Sequence, residues 1–321
     1  MKNNKLLIFV TLSIFLMIIG ITAFLYAGGG EENDKKQLIL IVMDGVQYNR
    51  LKEIYDADRL PNIKELVSIN GFFGNATITG HNKTETAPGN AELHTGLSES
   101  ITGISDNGCG KTIPEGKTTF ERLADQNIRL GLVYGKTTCY IPDSILKNAK
   151  PKIGFWHNRT TYIQDTYVGS NCADSRDVST KAGEFISANK DRSFYLVVYY
   201  GGPDCAGHAF GENSKDYEDS IINADDAIGI LLEGIKNNNL EVNMIISADH
   251  GWNEGAKGHG NPNGDTKTIP FLSNNLSMVG KIPLDGIRKQ CNIAPTILDY
   301  FGVDHNQYDD FAIGCESLLN N

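Results

Sequence analysis

Short apolar runs alternate with helical patterns along most of the chain, and this alternation constrains the fold more than any other feature. The runs that predict strands cover residues 37–43, 129–135, 152–157, 193–200 and 242–248. The segments that predict helices are 61–69, the stretch after Pro88, 118–126, 177–189, 216–236 and 291–301. Runs that are apolar throughout are typical of strands buried on both faces. The pattern therefore predicts an α/β fold with a largely parallel central sheet.

Acidic residues follow three of the predicted strands, at the point where each strand ends. Asp44 comes directly after residues 37–43, and Asp249 directly after residues 242–248. Because the carboxyl ends of parallel strands lie along one edge of a sheet, where ligands bind, these side chains are expected to converge. The candidate ligands at these positions are Asp44, Asp204, His208, Asp249, His250 and the glycine-flanked His259.

Each candidate ligand has an ordinary alternative when it is taken alone. An Asp-Gly pair such as that at Asp44 is often only a turn. The spacing of Asp204 and His208 suits one helical turn, but such a pair is often a cap or a surface contact, and His259 could be a plain loop residue. Acids that lie close together repel one another, however, and a cation is their natural partner. The combination therefore predicts a metal site.

Imidazole and carboxylate ligands suit zinc, which keeps one coordination position open in catalytic sites. Two metals about 4 Å apart can hold the attacking and leaving oxygens of an in-line displacement. The sequence therefore predicts two divalent metal ions, zinc first, with manganese as the alternative for oxygen-rich sites.

Thr86 is the candidate nucleophile. It lies in "HNKTETAPGNAELHTGL", residues 81–97, two residues before a proline that can open a helix. A helix N-terminus attracts anions, and metal coordination activates a hydroxyl group. The alternative is that Thr84 or Thr86 only caps the helix.

The order of these motifs resembles the alkaline phosphatase superfamily, and within it the type I phosphodiesterase/nucleotide pyrophosphatase branch. The chain contains, in order, "VMDG", "TAPGNAELHTGL", "GISDN", "PDCAGH" and "SADHG", and the resemblance spans about residues 37–319. It implies an alkaline-phosphatase-like α/β fold with helices on both faces of the sheet. It also implies a phosphoester hydrolase that acts on small phosphodiester or pyrophosphate substrates.

The resemblance implies a role for each matching residue. Asp44, Thr86, Asp249 and His250 would hold one metal, with Thr86 as the covalent nucleophile. Asp204, His208 and His259 would hold the second metal. Asn107 would donate a hydrogen bond to a phosphate oxygen. The implied reaction has two in-line steps through a phospho-threonine.

Three departures from the family pattern leave alternatives open. Gly89 precedes Asn90 where the nucleotide branch has asparagine and then histidine, and His259 follows His250 unusually closely. The segment around Lys136, "YGKTTCY", is similar to a sulfatase motif, although Thr86 is not a sulfatase nucleophile. Lys136 either approaches the substrate or is a surface lysine. The alternatives are a phosphomonoesterase, a phosphoryl or phosphoethanolamine transferase, a sulfatase-like hydrolase and an inactive surface binding protein.

The N-terminus carries 22 residues without a charge, residues 6–27, preceded by Lys2 and Lys5. This length suits a transmembrane helix and exceeds a secretory h-region. We therefore predict a signal anchor over residues 1–27, a linker over 28–36 and a catalytic domain over 37–321. The protein would be a single-pass membrane protein with its catalytic domain outside the cytoplasm, or secreted if the segment is cleaved.

The six cysteines agree with export. An even number in an exported chain favours disulfides, with free buried thiols as the alternative. Four sequons, at Asn75, Asn82, Asn158 and Asn275, are either glycosylation sites or chance matches in an Asn-rich chain. The net charge of −10 argues against nucleic-acid binding.

Overall fold

The apolar runs form strands of a single eight-stranded sheet. The computed structural model describes residues 35–108, 111–136, 160–164, 172–283, 286–308, 310–311 and 314–320. Residues Lys36–Asn321 form one compact unit. The strands are β1 Gln37–Met43, β2 Phe72–Thr77, β3 Arg129–Tyr134, β4 Thr160–Gln164, β5 Phe194–Tyr200, β6 Asn243–Ser247, β7 Thr268–Ser273 and β8 Arg288–Lys289.

The sheet is mixed, with the order β4-β3-β5-β1-β6-β7-β2-β8. The five strands from β4 to β6 run parallel to one another. Beyond β6 the antiparallel strand β7 follows, and it pairs in turn with β2. All seven residues of β1 and of β5 are buried. Buried side chains on both faces are what continuous apolar runs require.

The helices lie on both faces of this sheet. They are α1 Tyr48–Asp56, α2 Pro61–Ser68, α3 Thr86–Thr95, α4 Glu99–Thr102, α5 Thr119–Leu123, α6 Ser175–Asn189, α7 Gly202–Phe210, α8 Lys215–Asn237, α9 Gly264–Lys267 and α10 Ile293–Tyr300. Phe194 packs edge-on against Phe185 of α6, whereas the next residue, Tyr195, packs against Phe120 of α5. Successive side chains of a strand point to opposite faces, so α6 and α5 cover opposite sides.

The predicted strands at the centre of the sheet are confirmed as β1, β3, β5 and β6, each within two residues of its predicted bounds. The predicted helices are confirmed as α2, α3, α5, α6, α8 and α10. The predicted strand over residues 152–157 lies outside the described residues. Strands β2, β4, β7 and β8 were not predicted.

The predicted signal anchor over residues 1–27 also lies outside the described residues, with most of the linker. Within the part of the chain that is described, no helix has the length and apolar character needed to cross a membrane.

Candidate metal centre

The carboxyl edge of the parallel strands brings together residues that are far apart in sequence. Strands β5, β1 and β6 are neighbours in the sheet. Asp44 follows β1 directly, Asp249 comes two residues after β6, and Asp204 lies in the first turn of α7, just beyond β5. All three carboxyl groups are buried. The convergence expected from strand topology is therefore present in the structure.

Three residues form what we call the inner group: Asp44, Asp249 and His250, whose ligand atoms lie within 4.8 Å of one another. His250 Nε2 is 3.5 Å from Asp44 Oδ1 and 3.8 Å from Asp249 Oδ2. His250 Nδ1 lies 2.9 Å from the carbonyl of Gly251. With Nδ1 donating to that carbonyl, Nε2 is the nitrogen that faces the carboxylates and is available to a metal.

Asp249 is held by donors from three directions. Its Oδ2 accepts from Asn90 Nδ2 at 3.0 Å and from the Tyr199 hydroxyl at 2.9 Å. Its Oδ1 accepts from the backbone N–H of Gly45 at 3.1 Å. These bonds fix the carboxylate before any ligand binds, which is the arrangement that favours a precise site.

A second set, Asp204, His208 and His259, forms what we call the outer group. His259 Nε2 is 3.3 Å from Asp204 Oδ1 and 3.1 Å from His208 Nε2. Asp204 and His259 also lie within 4.8 Å of His250, and the His250 and His259 rings stack at 3.8 Å. The two groups are thus contiguous through His250. The side chain of His208 is 52 % exposed, so it forms the solvent side of the outer group.

Thr86 is the first residue of α3 and is buried beside the inner group. Its Oγ1 is 3.4 Å from His250 Nε2. The N-cap position of α3 belongs to Glu85, and Thr84 Oγ1 donates to the carbonyl of His259. Neither threonine therefore caps the helix, and the alternative reading of Thr86 as a cap is wrong.

Asn107 lies beside the first turn of α3. Its Oδ1 accepts from the N–H of Ala87 at 2.8 Å, and its own N–H donates to Glu85 Oε2 at 2.8 Å. With Oδ1 engaged, Nδ2 is the group of this side chain that can donate to a bound anion.

Lys136 occupies the centre of the site. Its Nζ lies 2.5 Å from Asp44 Oδ2, 2.8 Å from Asp204 Oδ2 and 3.3 Å from Thr86 Oγ1. Lys136 follows β3, which ends on the same edge as β1 and β5. The alternative reading of Lys136 as a surface lysine is wrong, and its place just after a parallel strand is the signal that could have shown this.

Burial governs the electrostatics of the site. Desolvation and the neighbouring Asp249 raise the pKa of Asp44 to about 7. Desolvation and the nearby His259 lower the pKa of His250 to about 3. Burial alone would lower the pKa of Lys136, but the carboxylates around it outweigh burial and raise it. A neutral imidazole is the form that binds metals.

Two carboxylate oxygens show that the site fits a cation. Asp44 Oδ1 and Asp204 Oδ1 are buried and accept no hydrogen bond from any residue that the structure describes. Such oxygens are costly to leave without a partner. One belongs to the inner group and one to the outer group, so each group has an oxygen available to a metal. The donor set of carboxylate and imidazole suits zinc.

Gly89 explains one departure from the expected family pattern. A Cβ atom at this position would lie 2.1 Å from the carbonyl oxygen of Asp249. Only a residue without a side chain lets α3 approach this backbone, and that approach places Thr86 beside the inner group. The need for glycine here was not visible in the sequence.

Two disulfides are present in the described residues, Cys172–Cys205 and Cys291–Cys315. The prediction of disulfides is confirmed for these four cysteines, whereas Cys109 and Cys139 lie outside the described residues. Cys205 lies between Asp204 and His208 in sequence, so the first bridge ties α7 to residue 172.

Comparison with known proteins places the chain in a family. The model of the type I phosphodiesterase/nucleotide pyrophosphatase family matches residues 38–268. The chain therefore belongs to this family, and the resemblance drawn from its motifs is confirmed.

Two relatives and one solved structure illustrate the match. Venom phosphodiesterase 2 of Crotalus adamanteus is 26% identical over 246 residues, which cover 69% of this chain and 27% of that protein. Ectonucleotide pyrophosphatase/phosphodiesterase family member 3 of Mus musculus is 25% identical over 237 residues, covering 69% and 25%. The chain thus spans about a quarter of these relatives' length. TAB5 alkaline phosphatase superposes with a TM-score of 0.55 at 14% identity, covering 83% of this chain and 98% of that one. This likeness shows an alkaline-phosphatase-like fold.

Proposed function

We propose that this protein is a metal-dependent hydrolase of phosphoric ester bonds, of the phosphodiesterase/nucleotide pyrophosphatase type. The convergence of the inner group, the outer group and Thr86 at one sheet edge carries the proposal. The family match supports the reaction class, and the names of the relatives support small phosphodiester or pyrophosphate substrates.

Two divalent ions, zinc first, would be held by the residues of the two groups. Asp44, Thr86, Asp249 and His250 would hold one, and Asp204, His208 and His259 the other. When bound, the ions supply Lewis acidity that stabilises charge on the phosphoryl oxygens. The orphaned oxygens of Asp44 and Asp204 support this assignment.

The chain's own residues suit a two-step displacement. Thr86 Oγ1 forms a bond to phosphorus as the bond to the leaving alcohol oxygen breaks, and the proton lost by Thr86 is matched by one that the leaving group takes up. Water then attacks phosphorus, and the bond to Thr86 breaks, which restores the hydroxyl. Asn107 Nδ2 and the N-terminus of α3 face the charge that develops on the phosphoryl oxygens.

Replacement of the nucleophile tests this proposal. In the zinc-loaded full chain, Thr86→Ala should abolish hydrolysis of bis(para-nitrophenyl) phosphate, because no other hydroxyl lies at this position. Thr86→Ser keeps an oxygen there and should retain measurable turnover. Circular dichroism would establish that both variants are folded. Full activity in folded Thr86→Ala would defeat the nucleophile assignment.

Metal analysis tests the ligand assignment separately. The wild-type chain should hold close to two metals by mass spectrometry of the acid-digested protein. The double variant Asp204→Ala/His259→Ala should hold about one, since the inner group is intact. Retention of two metals would overturn the assignment of the outer group.

We also propose that residues 1–27 form a signal anchor, 28–36 a linker and 37–321 a catalytic domain outside the cytoplasm. The uncharged run of 22 residues supports the anchor. The two disulfides support an oxidising compartment. Protease added to intact cells should digest the catalytic domain, and protection in intact but not lysed cells would refute this orientation.

A further inference from the structure

Lys136 has no part in the reaction described above, yet it lies beside Thr86, where phosphorus would bind. Its Nζ contacts Asp44 of the inner group and Asp204 of the outer group, and it is 3.3 Å from Thr86 Oγ1. Its side chain is 13 % exposed, against 0% and 4% for the two carboxylates. Lys136 is therefore the outermost of these three charges.

The backbone of Lys136 is anchored on two sides. It forms an isolated β-bridge with Cys172, and Cys172 is bonded to Cys205, the neighbour of Asp204. The preceding residue, Gly135, donates its N–H to the carbonyl of Tyr199 in β5 at 3.0 Å. The lysine thus enters the site from a fixed point, and its side chain alone is free to follow a ligand.

The charges of the site show what a fixed ammonium group adds. With both metals bound, the carboxylates of Asp44, Asp204 and Asp249 would be ionised and carry three negative charges, which two divalent ions would exceed by one positive charge. That excess matches a phosphodiester, which has a single negative charge. A phosphomonoester carries close to two negative charges near neutral pH, and its second charge has no counterpart among the metals and their ligands. The ammonium of Lys136 supplies this counterpart.

We propose that Lys136 is a specificity-determining residue whose ammonium group contacts a non-bridging oxygen of the phosphoryl group at Thr86 and so extends the site to dianionic phosphoryl groups. The proposal rests on the proposed function, since Thr86 defines where phosphorus binds. A phosphoryl group bonded to Thr86 Oγ1 carries its other oxygens on phosphorus, two bonds from Oγ1, within reach of an Nζ that already lies at hydrogen-bonding distance from Oγ1.

A purely structural role for Lys136 makes a different prediction. If the lysine only offsets the repulsion between Asp44 and Asp204, its removal should lower metal content and thermal stability. It should then reduce turnover of monoesters and diesters by the same factor. A role in substrate charge recognition should instead change the ratio between the two substrates, while the metal content stays at two.

The experiment compares Lys136→Met with the wild-type full chain, both loaded with zinc. For para-nitrophenyl phosphate, kcat/KM should fall roughly 100-fold, the usual loss when one charge-stabilising donor is removed. For bis(para-nitrophenyl) phosphate it should fall less than about 10-fold, because the metals already match that charge. Lys136→Arg keeps the charge and should restore much of the monoester activity. Lys181→Met is the control, because Lys181 pairs only with Glu184 of the same helix, α6, among the ion pairs of the described residues.

Binding of inorganic phosphate gives a readout that does not depend on turnover. Calorimetry with the zinc-loaded protein should show weaker phosphate binding in Lys136→Met, with the metal content unchanged. Equal losses for both esters, or no loss for either, would overturn the proposal. If the wild-type chain hydrolyses neither ester, the proposed function fails, and the phosphate-binding difference alone then decides the role of Lys136.

Discussion

The inner and outer groups of the site are built from the same kinds of side chain but are held in different ways. The inner group is wholly buried, and Asp249 receives hydrogen bonds from a helix, a strand and a turn. The outer group depends on one turn of α7, a disulfide and the loop that carries His259, and His208 is half exposed. The inner group is therefore set by the packing of the core. Asp204 and His259 of the outer group are buried as well, so the two groups differ in what holds them rather than in burial.

The largest expected effect comes from breaking the close approach behind the inner group. Gly89→Ala would place a Cβ atom 2.1 Å from the carbonyl oxygen of Asp249. Because both partners belong to the core, we expect a loss of at least about 4 kcal/mol of unfolding free energy and loss of activity. Urea unfolding measures the first. Gly183→Ala, inside α6 where a Cβ meets no atom within 4 Å, is the control and should raise stability by up to about 1 kcal/mol, as Gly→Ala does in a helix interior.

Removal of each disulfide distinguishes an effect on the outer group from an effect on overall stability. The bonded cysteines are 33 residues apart in the first bridge and 24 in the second. Loss of either bridge should therefore lower the unfolding free energy by about 3 to 4 kcal/mol by the chain-entropy argument. Only Cys172→Ala/Cys205→Ala should also weaken metal binding at the outer group, because Cys205 adjoins Asp204. Zinc titration against a chromophoric chelator measures this. An equal loss of zinc affinity in Cys291→Ala/Cys315→Ala would remove the distinction.

Burial of Glu92, a carboxyl group on α3, should make the stability of the fold depend on pH. Desolvation raises its pKa from 4.5 to about 7, although backbone N–H donors such as that of Gly80 lower it in part. Between these two pH values the unfolded chain releases the proton while the folded chain keeps it, so stability falls as pH rises. The loss is about 2 to 3 kcal/mol by pH 8. Glu92→Gln should remove this dependence in urea unfolding from pH 4 to pH 8. An unchanged slope would show that Glu92 is ionised in the fold.

The smallest effect is expected at the exposed edge of the outer group. His208→Ala should lower zinc affinity there by at least about 10- to 100-fold, the loss caused even by residues that only support a ligand, and should leave the unfolding transition of the metal-free protein unchanged. Phe210→Ala is the matched control, since Phe210 is 57 % exposed on the same helix and is not a candidate ligand. A similar loss of affinity in both variants would mean that His208 acts through the helix rather than through a metal.

The central strands could be predicted because they are continuous apolar runs, and the long helices because their apolar side chains repeat with the helical period. Residues 37–43 read as a strand and form β1 with the same bounds. Strand β2, "FFGNAT", has no such pattern. It forms a strand because it pairs antiparallel with β7, a contact that its own composition does not predict. The predicted helix over 118–126 ends at Leu123, where turns take over.

The sequence by itself determined which residue types follow each parallel strand, and topology then brings Asp44, Asp204 and Asp249 to one edge. It also contained the ordered motifs of the family. Tertiary structure alone decided that Lys136 lies between the two groups, that Gly89 must lack a side chain, and which cysteines pair. The physical reason is distance along the chain: an apolar run is a local property, whereas the approach of Gly89 to Asp249 joins residues that only packing makes neighbours.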